Sequence, residues 1–251
     1  MNKAALLALV YLIWLFPVWG EIREGEIILQ WQGRTDINEL AHGDPRPGQL
    51  VPQTVSGTLG PYDELVFEVE PQEAPQGRQY LDLLLPGGAS LDRFTVACYL
   101  YPTRGRTREE LVSAIGPEGR TGFSLRNSWR IPVFEFGDGA INSVTTVQHR
   151  GRSEVALDLD CWQHLAVVFD QGTLRFYKNG ILIGKSETGL GEIAFGTGTS
   201  LRIGAHPYVK AGSDSPLASY PFAGRMTGLF LSGQALNEEE IFELMERMLR
   251  P

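Results

Sequence analysis

Residues 161–184, CWQHLAVVFDQGTLRFYKNGILIG, constrain the fold more than any other stretch of the chain. They hold three short apolar runs, Leu165–Phe169, Leu174–Tyr177 and Ile181–Ile183. Asp170-Gln171-Gly172 separates the first two and Asn179-Gly180 the second from the third. Asn-Gly suits a two-residue type I′ turn, because both residues tolerate positive φ at low cost. Two consecutive hairpins are therefore written locally, and they predict a meander of antiparallel strands.

A chain of 251 residues is ordinary for a single all-β sandwich and can bury a full core without metals or disulfide staples. Its 29 glycines and 15 prolines are enough to punctuate many short strands. Net charge is −8, and no Lys/Arg cluster gives the footprint of a nucleic-acid binder, so nucleic acid is not an expected partner.

At the N-terminus, Lys3 precedes an uncharged apolar run from Ala4 to Phe16, and Pro17-Val18-Trp19-Gly20 leads to Glu21. The run has signal-peptide length and is shorter than the about 20 apolar residues of a spanning helix. Residues 1–20 are read as a cleaved secretory signal, with an uncleaved anchor and a buried helix as alternatives. The mature chain is then secreted, extracellular or periplasmic, with no membrane span after cleavage. It retains Cys98 and Cys161, and in an oxidising compartment such a pair either bridges or stays as two buried thiols.

In chain order, Glu26–Trp31 reads as a first strand and residues 33–61 as a long loop with at most short strands. Glu64–Val69, Tyr80–Leu85 and Phe94–Tyr101 follow as strands. In the last of these Phe94, Val96 and Cys98 share one face and Thr95, Ala97 and Tyr99 the other, both rather apolar, which predicts a central strand. Thr107–Ile115 is expected to form one or two helical turns, stopped by Gly116-Pro117. Strands are expected over Thr121–Leu125, Ile131–Phe136, Ser143–His149, Glu154–Leu159, Leu201–Ile203 and Phe222–Leu231. Gly189–Gly198 and Ala205–Tyr220 read as loops. Asn237 should cap a helix over Glu238–Leu249 whose stripe of Ile241, Leu244, Met245 and Met248 docks on the sandwich.

Three segments resemble the laminin-G-like members of the concanavalin A-like lectin and glucanase superfamily. FTVACYLYP at Phe94–Pro102 is similar to an early strand of the family. Residues 161–184 resemble its most recognisable run, with Trp162, His164 two residues on, an apolar strand, an Asp, a Gly and a strand ending in Asn-Gly. FAGRMTGLFLSGQALNEEEI at Phe222–Ile241 is similar to the closing strand and the start of the C-terminal helix. The likeness spans roughly Leu65 to Glu246. It implies an all-β fold, a two-sheet antiparallel jelly-roll sandwich with a short C-terminal helix. Residues 64–251 then form the domain, and 21–63 are part of it or an extension to it. The family's closing strand commonly carries an acidic pair, and Thr227 and Gly228 stand there in this chain.

The glucanases of that superfamily use carboxylates spaced Glu-x-Asp-x-x-Glu, since one group must donate a proton while another attacks or activates water. That spacing is absent. The nearest sets, Asp63, Glu64, Glu68 and Glu70, and Glu154, Asp158 and Asp160, are read as solvated faces. None of His42, His149, His164 and His206 has a Cys or His at zinc-ligand spacing, and His164 is read as structural. Related domains often hold Ca²⁺ at a sheet rim, and Asp138 and Asp214 are the candidate ligands here. Sugar recognition needs exposed rings with polar groups beside them. Trp129, Tyr208 and Tyr220 are the candidate rings and Asn127, Arg130 and His206 the polar neighbours, while Trp31 and Trp162 are read as core. The expectation is a secreted, non-enzymatic module that binds a glycan or an extracellular protein. The rivals are a structural or adhesion module without a small ligand, and a carbohydrate-active enzyme with an atypical site.

Overall fold

The computed structural model describes residues 27–31, 53–57, 60–67, 81–84, 90–105, 107–116, 119–147, 152–196, 200–206 and 220–249. Residues 1–20, His42, His149, Tyr208 and Asp214, and the side chain of Trp31, lie outside what it describes. Two antiparallel sheets face each other. The larger contains β1 (Ile27–Trp31), β2 (Gln53–Gly57), β3 (Gly60–Phe67), β6 (Arg93–Pro102), β11 (Gln163–Asp170), β12 (Thr173–Lys178), β13 (Ile181–Glu187) and β16 (Gly224–Ser232). Its order is β13-β12-β11-β6-β16-β3-β2, with β1 also paired to β16. The smaller runs β10 (Asn142–Thr146), β9 (Ile131–Gly137), β8 (Phe123–Ser128), β7 (Arg108–Ser113), β15 (Ser200–Ile203) and β4 (Leu81–Leu84). A short pair, β5 (Ser90–Leu91) with β14 (Ile193–Ala194), stands apart from both.

The two local hairpins form as expected. Asn179 and Gly180 sit at φ 51° and 76° between β12 and β13. Gln171 and Gly172 sit at 47° and 94°, with Asp170 paired directly to Thr173, so the first turn is also a two-residue one. β6 is the predicted central strand, with Phe94, Val96, Cys98 and Leu100 in the core between the sheets and Ala97 and Tyr99 in a second cluster on the outer face. Aromatic rings join the layers across the core: Phe94 lies 4.8 Å from Phe123 and Phe136 lies 4.9 Å from Phe169, centroid to centroid.

Helix α2 (Glu238–Leu249) covers that outer face of the larger sheet. Its N-terminus is a capping box, in which the Glu240 N–H donates to Asn237 Oδ1 at 3.1 Å and the Asn237 N–H donates to Glu240 Oε2 at 2.8 Å. Ile241, Leu244 and Met248 are buried against Ala97, Tyr99, Ala166, Val168 and Tyr177, and Met245 packs against them half-buried. The Tyr99 hydroxyl donates to the Met245 carbonyl at 3.3 Å.

Three expectations are corrected. Thr107–Ile115 is not helical: it carries strand β7, in the interior of the smaller sheet. Arg108, Glu109 and Glu110 favour helix intrinsically, but cross-strand partners, Asn127 for Glu109 and Ser124 for Glu110, override that weak preference. Glu154–Leu159 is not a strand but the end of a one-turn helix, α1 (Arg152–Val155), and an irregular segment. Cys98 and Cys161 are free, Cys98 buried in the core and Cys161 exposed. Gln163 pairs with Leu100, so Cys161 lies past one end of the pairing and Cys98 two residues the other way. About four strand residues, or about 13 Å, separate them, well beyond the about 7 Å limit for a disulfide.

His164 is fully buried beside Tyr99 at 5.1 Å, and neither ring nitrogen has a hydrogen-bond partner. Burial pushes its pKa from the ordinary 6.5 down to about 3. Between those values the unfolded chain binds a proton that the folded one does not. Stability attributable to His164 is therefore intact above pH 6.5 and falls as pH drops, by about 1.4 kcal/mol per unit. His164→Leu is expected to flatten that part of the stability–pH curve, measured by denaturant unfolding between pH 7 and 4. Unchanged slopes in the variant would refute the assignment. In the same assay Asn237→Ala should cost about 1 kcal/mol through loss of the cap, and Ile241→Ala about 2–5 kcal/mol through loss of helix packing.

Candidate ligand-binding rim

One end of the sandwich gathers most of the polar and aromatic candidates. β8 and β9 are joined by only two residues, Trp129 and Arg130, with Ser128 paired directly to Ile131. A two-residue hairpin favours turns with positive φ, so residues such as Asn-Gly are the usual occupants. Trp129 and Arg130 instead adopt φ of 54° and 70°, at a cost of roughly 1–2 kcal/mol per bulky residue. The surroundings hold them there. The Trp129 N–H donates to the Thr107 carbonyl at 3.3 Å, Arg130 Nε donates to the Leu157 carbonyl at 2.7 Å, and the Leu157 N–H donates back to Arg130 at 2.7 Å. Gly105 leaves room for the Arg130 stem, since a Cβ there would lie 2.5 Å from Arg130 Cγ. The strained turn displays the Trp129 ring, 63 % exposed.

On the other side of β7, Tyr220 is held at φ 53° with its carbonyl accepting from the Glu110 N–H at 2.9 Å, and its ring is 47 % exposed. The Arg108 guanidinium lies over that ring, 4.3 Å from its centroid, and His206 meets it edge-on at 6.3 Å. Burial pushes the His206 pKa down to about 4, and the positive charges of Arg108, Arg126 and Arg202 add to this against Glu135. The His206 ring is therefore neutral at physiological pH. Leu159, also exposed, adds an apolar side chain to the segment that Arg130 anchors.

Two carboxylates sit beneath this rim. Glu109 receives Arg104 Nε at 2.9 Å and Asn127 Nδ2 at 2.9 Å, and Glu110 receives Arg108 at 2.6 Å and the Ser124 hydroxyl. Burial pushes both above the usual carboxylate range, opposed by their arginine partners. Farther along the outer face Arg126 pairs with Glu135, which also accepts from Asn142 Nδ2 at 3.2 Å.

Of the residues expected from the sequence, Trp129, Arg130, Tyr220 and His206 thus flank the start of β7. Asn127 does not join them at the surface: it is fully buried beside Glu109, because strand alternation turns it inward between Arg126 and Ser128. Trp162 packs half-buried against the outer cluster and lies 5.6 Å from Tyr101. Asp138 lies in the β9–β10 turn, one strand length of roughly 20 Å from Trp129. Its Oδ1 accepts from the Ala140 and Ile141 N–H groups at 2.9 Å each, which hold its carboxyl below the usual range. Among the described residues no group of three His, Cys, Asp or Glu side chains is placed to hold a metal, and no helix is long and apolar enough to cross a membrane. Arg104, Arg108, Glu109 and Glu110 were not expected at this site. Arg108, Glu109 and Glu110 read as helix formers, and only the pairing of β7 with β8 sets their charges in place.

Two antiparallel sheets closed over one core, with a helix on the larger, define a jelly-roll sandwich of the lectin type. The chain belongs to the laminin G-type family of the concanavalin A-like lectin/glucanases superfamily, which matches residues 76–242. Solved structures share the fold at low identity. A heptameric SAP-like pentraxin from Limulus polyphemus is 17 % identical over 72 % of this chain and 81 % of its own, with a TM-score of 0.51. Domain 4 of AbnA, a GH43 extracellular arabinanase from Geobacillus stearothermophilus solved with arabinotriose, is 16 % identical over 89 % of this chain and all of its own, at 0.57. The binding domain of botulinum neurotoxin serotype G is 11 % identical over 88 % of this chain and 51 % of its own, at 0.61. No curated protein sequence matches the chain.

Because the Trp129 backbone carries strain and its ring little packing, Trp129→Asn is expected to stabilise the fold by about 1 kcal/mol, or to raise Tm by about 2–4 °C. A loss of stability in thermal unfolding would mean that the ring supports the fold.

Proposed function

We propose that the chain is a secreted, non-enzymatic module that recognises a glycan at the Trp129–Tyr220 rim. The observation that carries this reading is Trp129: a two-residue turn forced to positive φ in order to hold a large aromatic ring in solvent. Strain retained at an exposed ring points to use of that ring. An exposed indole offers an apolar face to a sugar ring, and Tyr220, Arg130 and the neutral His206 supply edges and donors around it. The superfamily and the arabinotriose-bound neighbour support a carbohydrate ligand. Export rests on residues 1–20 and is tested by N-terminal sequencing of the mature protein, which should begin at Glu21.

Against an enzyme, Glu109 and Glu110 are enclosed and each is held by an arginine, which leaves neither oxygen pair open to a glycosidic bond. A second reading, an adhesion module that associates with another protein, draws on a different patch: Ile181, Leu182 and Phe242 are exposed around the open edge strand β13.

A glycan array run with and without calcium, for which Asp138 and Asp214 were the candidate ligands, tests the first reading. Binding is expected, and Trp129→Ala and Tyr220→Ala should each weaken it about tenfold while leaving the far-ultraviolet circular dichroism unchanged. An array blank in both conditions would remove the glycan reading. Binding that survives Ile181→Lys and is lost in Trp129→Ala would place recognition at the rim rather than at the β13 edge.

A further inference from the structure

We propose that the open edge of β13 docks an extended segment of another protein, one that alternates apolar and basic side chains. β13 ends the larger sheet, and among the described residues it pairs on one side only, with β12. Natural sheet edges are usually guarded by charge or by a bulge. Here the guard covers only half of the strand. Lys185 and Glu187 stand in its second half, and the ladder skips Ile183 as a bulge between Leu182 and Gly184. The first half presents Ile181 and Leu182, 68 % and 41 % exposed, with no charged side chain. Phe242 of α2, 50 % exposed, lies beside them: a Cβ at Gly180 would meet its ring at 3.0 Å and the Met245 methyl at 3.5 Å. On the core side of the strand, where Val155 and Ile183 pack, a hollow of about 520 Å³ opens between β13 and α1. Glu154, Val155, Lys178, Ile181 and Ile183 line it.

Charge selects the occupant. α2 carries five glutamates against one arginine. The helix dipole accounts for the acids of its first turn, but Glu243 lies beyond that turn. Glu238, Glu239 and Glu243 are exposed, and none forms an ion pair among the described residues. Glu238 and Glu239 stand one helical turn before Phe242 and so flank its ring. The bases nearby are engaged. Lys178 Nζ reaches Asp158 at 2.6 Å, Arg175 holds Asp170 at 3.2 Å, and Lys185 lies 3.7 Å from Glu187. A second copy docked through the same patch about a two-fold axis would set the acids of α2 against themselves. A basic segment is attracted instead. Added to β13 as a strand, it directs alternate side chains to opposite faces. One set enters the hollow, whose Val155, Ile181 and Ile183 suit a branched apolar side chain. The other set crosses Phe242, where an arginine or lysine stem covers the ring and its head meets the glutamates. The edge shares no residue with the Trp129 rim, so a partner docks here whether or not the rim takes a glycan.

The test uses the full mature chain and fluorescence anisotropy with short labelled peptides. A peptide of alternating isoleucine and arginine should bind at least about tenfold more tightly than the same residues in two blocks, or than alternating isoleucine and glutamate. Ile181→Lys, Phe242→Ala and the double variant Glu238→Gln with Glu239→Gln should each weaken it about fivefold, with far-ultraviolet circular dichroism unchanged. Trp129→Ala should leave it unaltered. Successive residues of a strand turn their N–H groups to opposite edges. Of two peptides N-methylated at every isoleucine or at every arginine, one should therefore lose binding and the other keep it. Equal binding of the alternating and block peptides would reduce the contact to net charge and overturn docking as a strand, as would indifference to both methylated peptides. Absence of binding by the alternating peptide overturns the proposal outright. A dimer of the free chain in analytical ultracentrifugation that Ile181→Lys separates would give the edge to a second copy and overturn the basic partner.

Discussion

The register of β6 against β11 is the constraint on which the rest of the structure depends. Leu165 pairs with Cys98, Val167 with Val96 and Phe169 with Phe94, all in the core between the sheets. Ala166 pairs with Ala97 and His164 with Tyr99 on the opposite face. Both faces are covered, one by the second sheet and the other by α2. A slip of one residue would send every core side chain outward under the helix and every helix-facing one into the core. Alanine would then replace phenylalanine in one layer and aromatic rings would crowd the other, so the alternative register fails on both sides at once. The two-residue turn at Gln171-Gly172 ties β12 to the same register, and the turn at Asn179-Gly180 fixes the start of β13, which a bulge at Ile183 then shifts by one residue.

What could be read from the sequence follows from this. Where local chemistry and tertiary packing agree, as in the 161–184 hairpins and the capped α2, residue types alone placed the elements and their faces. The Asn237 cap and the apolar stripe of Ile241, Leu244, Met245 and Met248 are local signals, and they were sufficient. Strand β7 fails for the opposite reason. Its acidic and basic residues favour helix, and the features that make it a strand lie elsewhere in the chain: Arg104 and Asn127 for Glu109, Ser124 for Glu110. No window of β7 contains those partners. Asn127 illustrates the same limit at the site. It lies between buried Arg126 and half-buried Ser128, alternation turns it inward, and only the β8–β9 register decides which side each residue takes.

The rim was legible as a set of residue types and not as an arrangement. Trp129, Arg130, His206 and Tyr220 stood out as loop residues with the right chemistry, but their positions on either side of β7 depend on the pairing of β7 with β8 and on the backbone bond from Glu110 to Tyr220. The tight β8–β9 connection is an instructive exception to local consistency. A sequence chosen for stability alone would put Asn-Gly there, as it does at 179–180. Trp-Arg at that turn breaks the local rule, and Gly105, the Leu157 backbone and the Thr107 carbonyl hold it in place.

The same balance explains why the rim can carry arginines at all. Two adjacent carboxylates buried in the interior of a sheet would each be strongly destabilising if left alone, since an ionised group without a partner in low dielectric costs several kcal/mol. Each is offset by a guanidinium that must reach it from the surface, because the core offers no room for another charged head. The long arginine stem lets the charge pair inward while the outer edge of the head remains in water. Burying the acids and exposing the bases are thus one solution to one electrostatic demand. The part-exposed guanidinium groups of Arg104 and Arg108 follow from the way β7 is satisfied, and they need no basic cluster in the sequence to announce them.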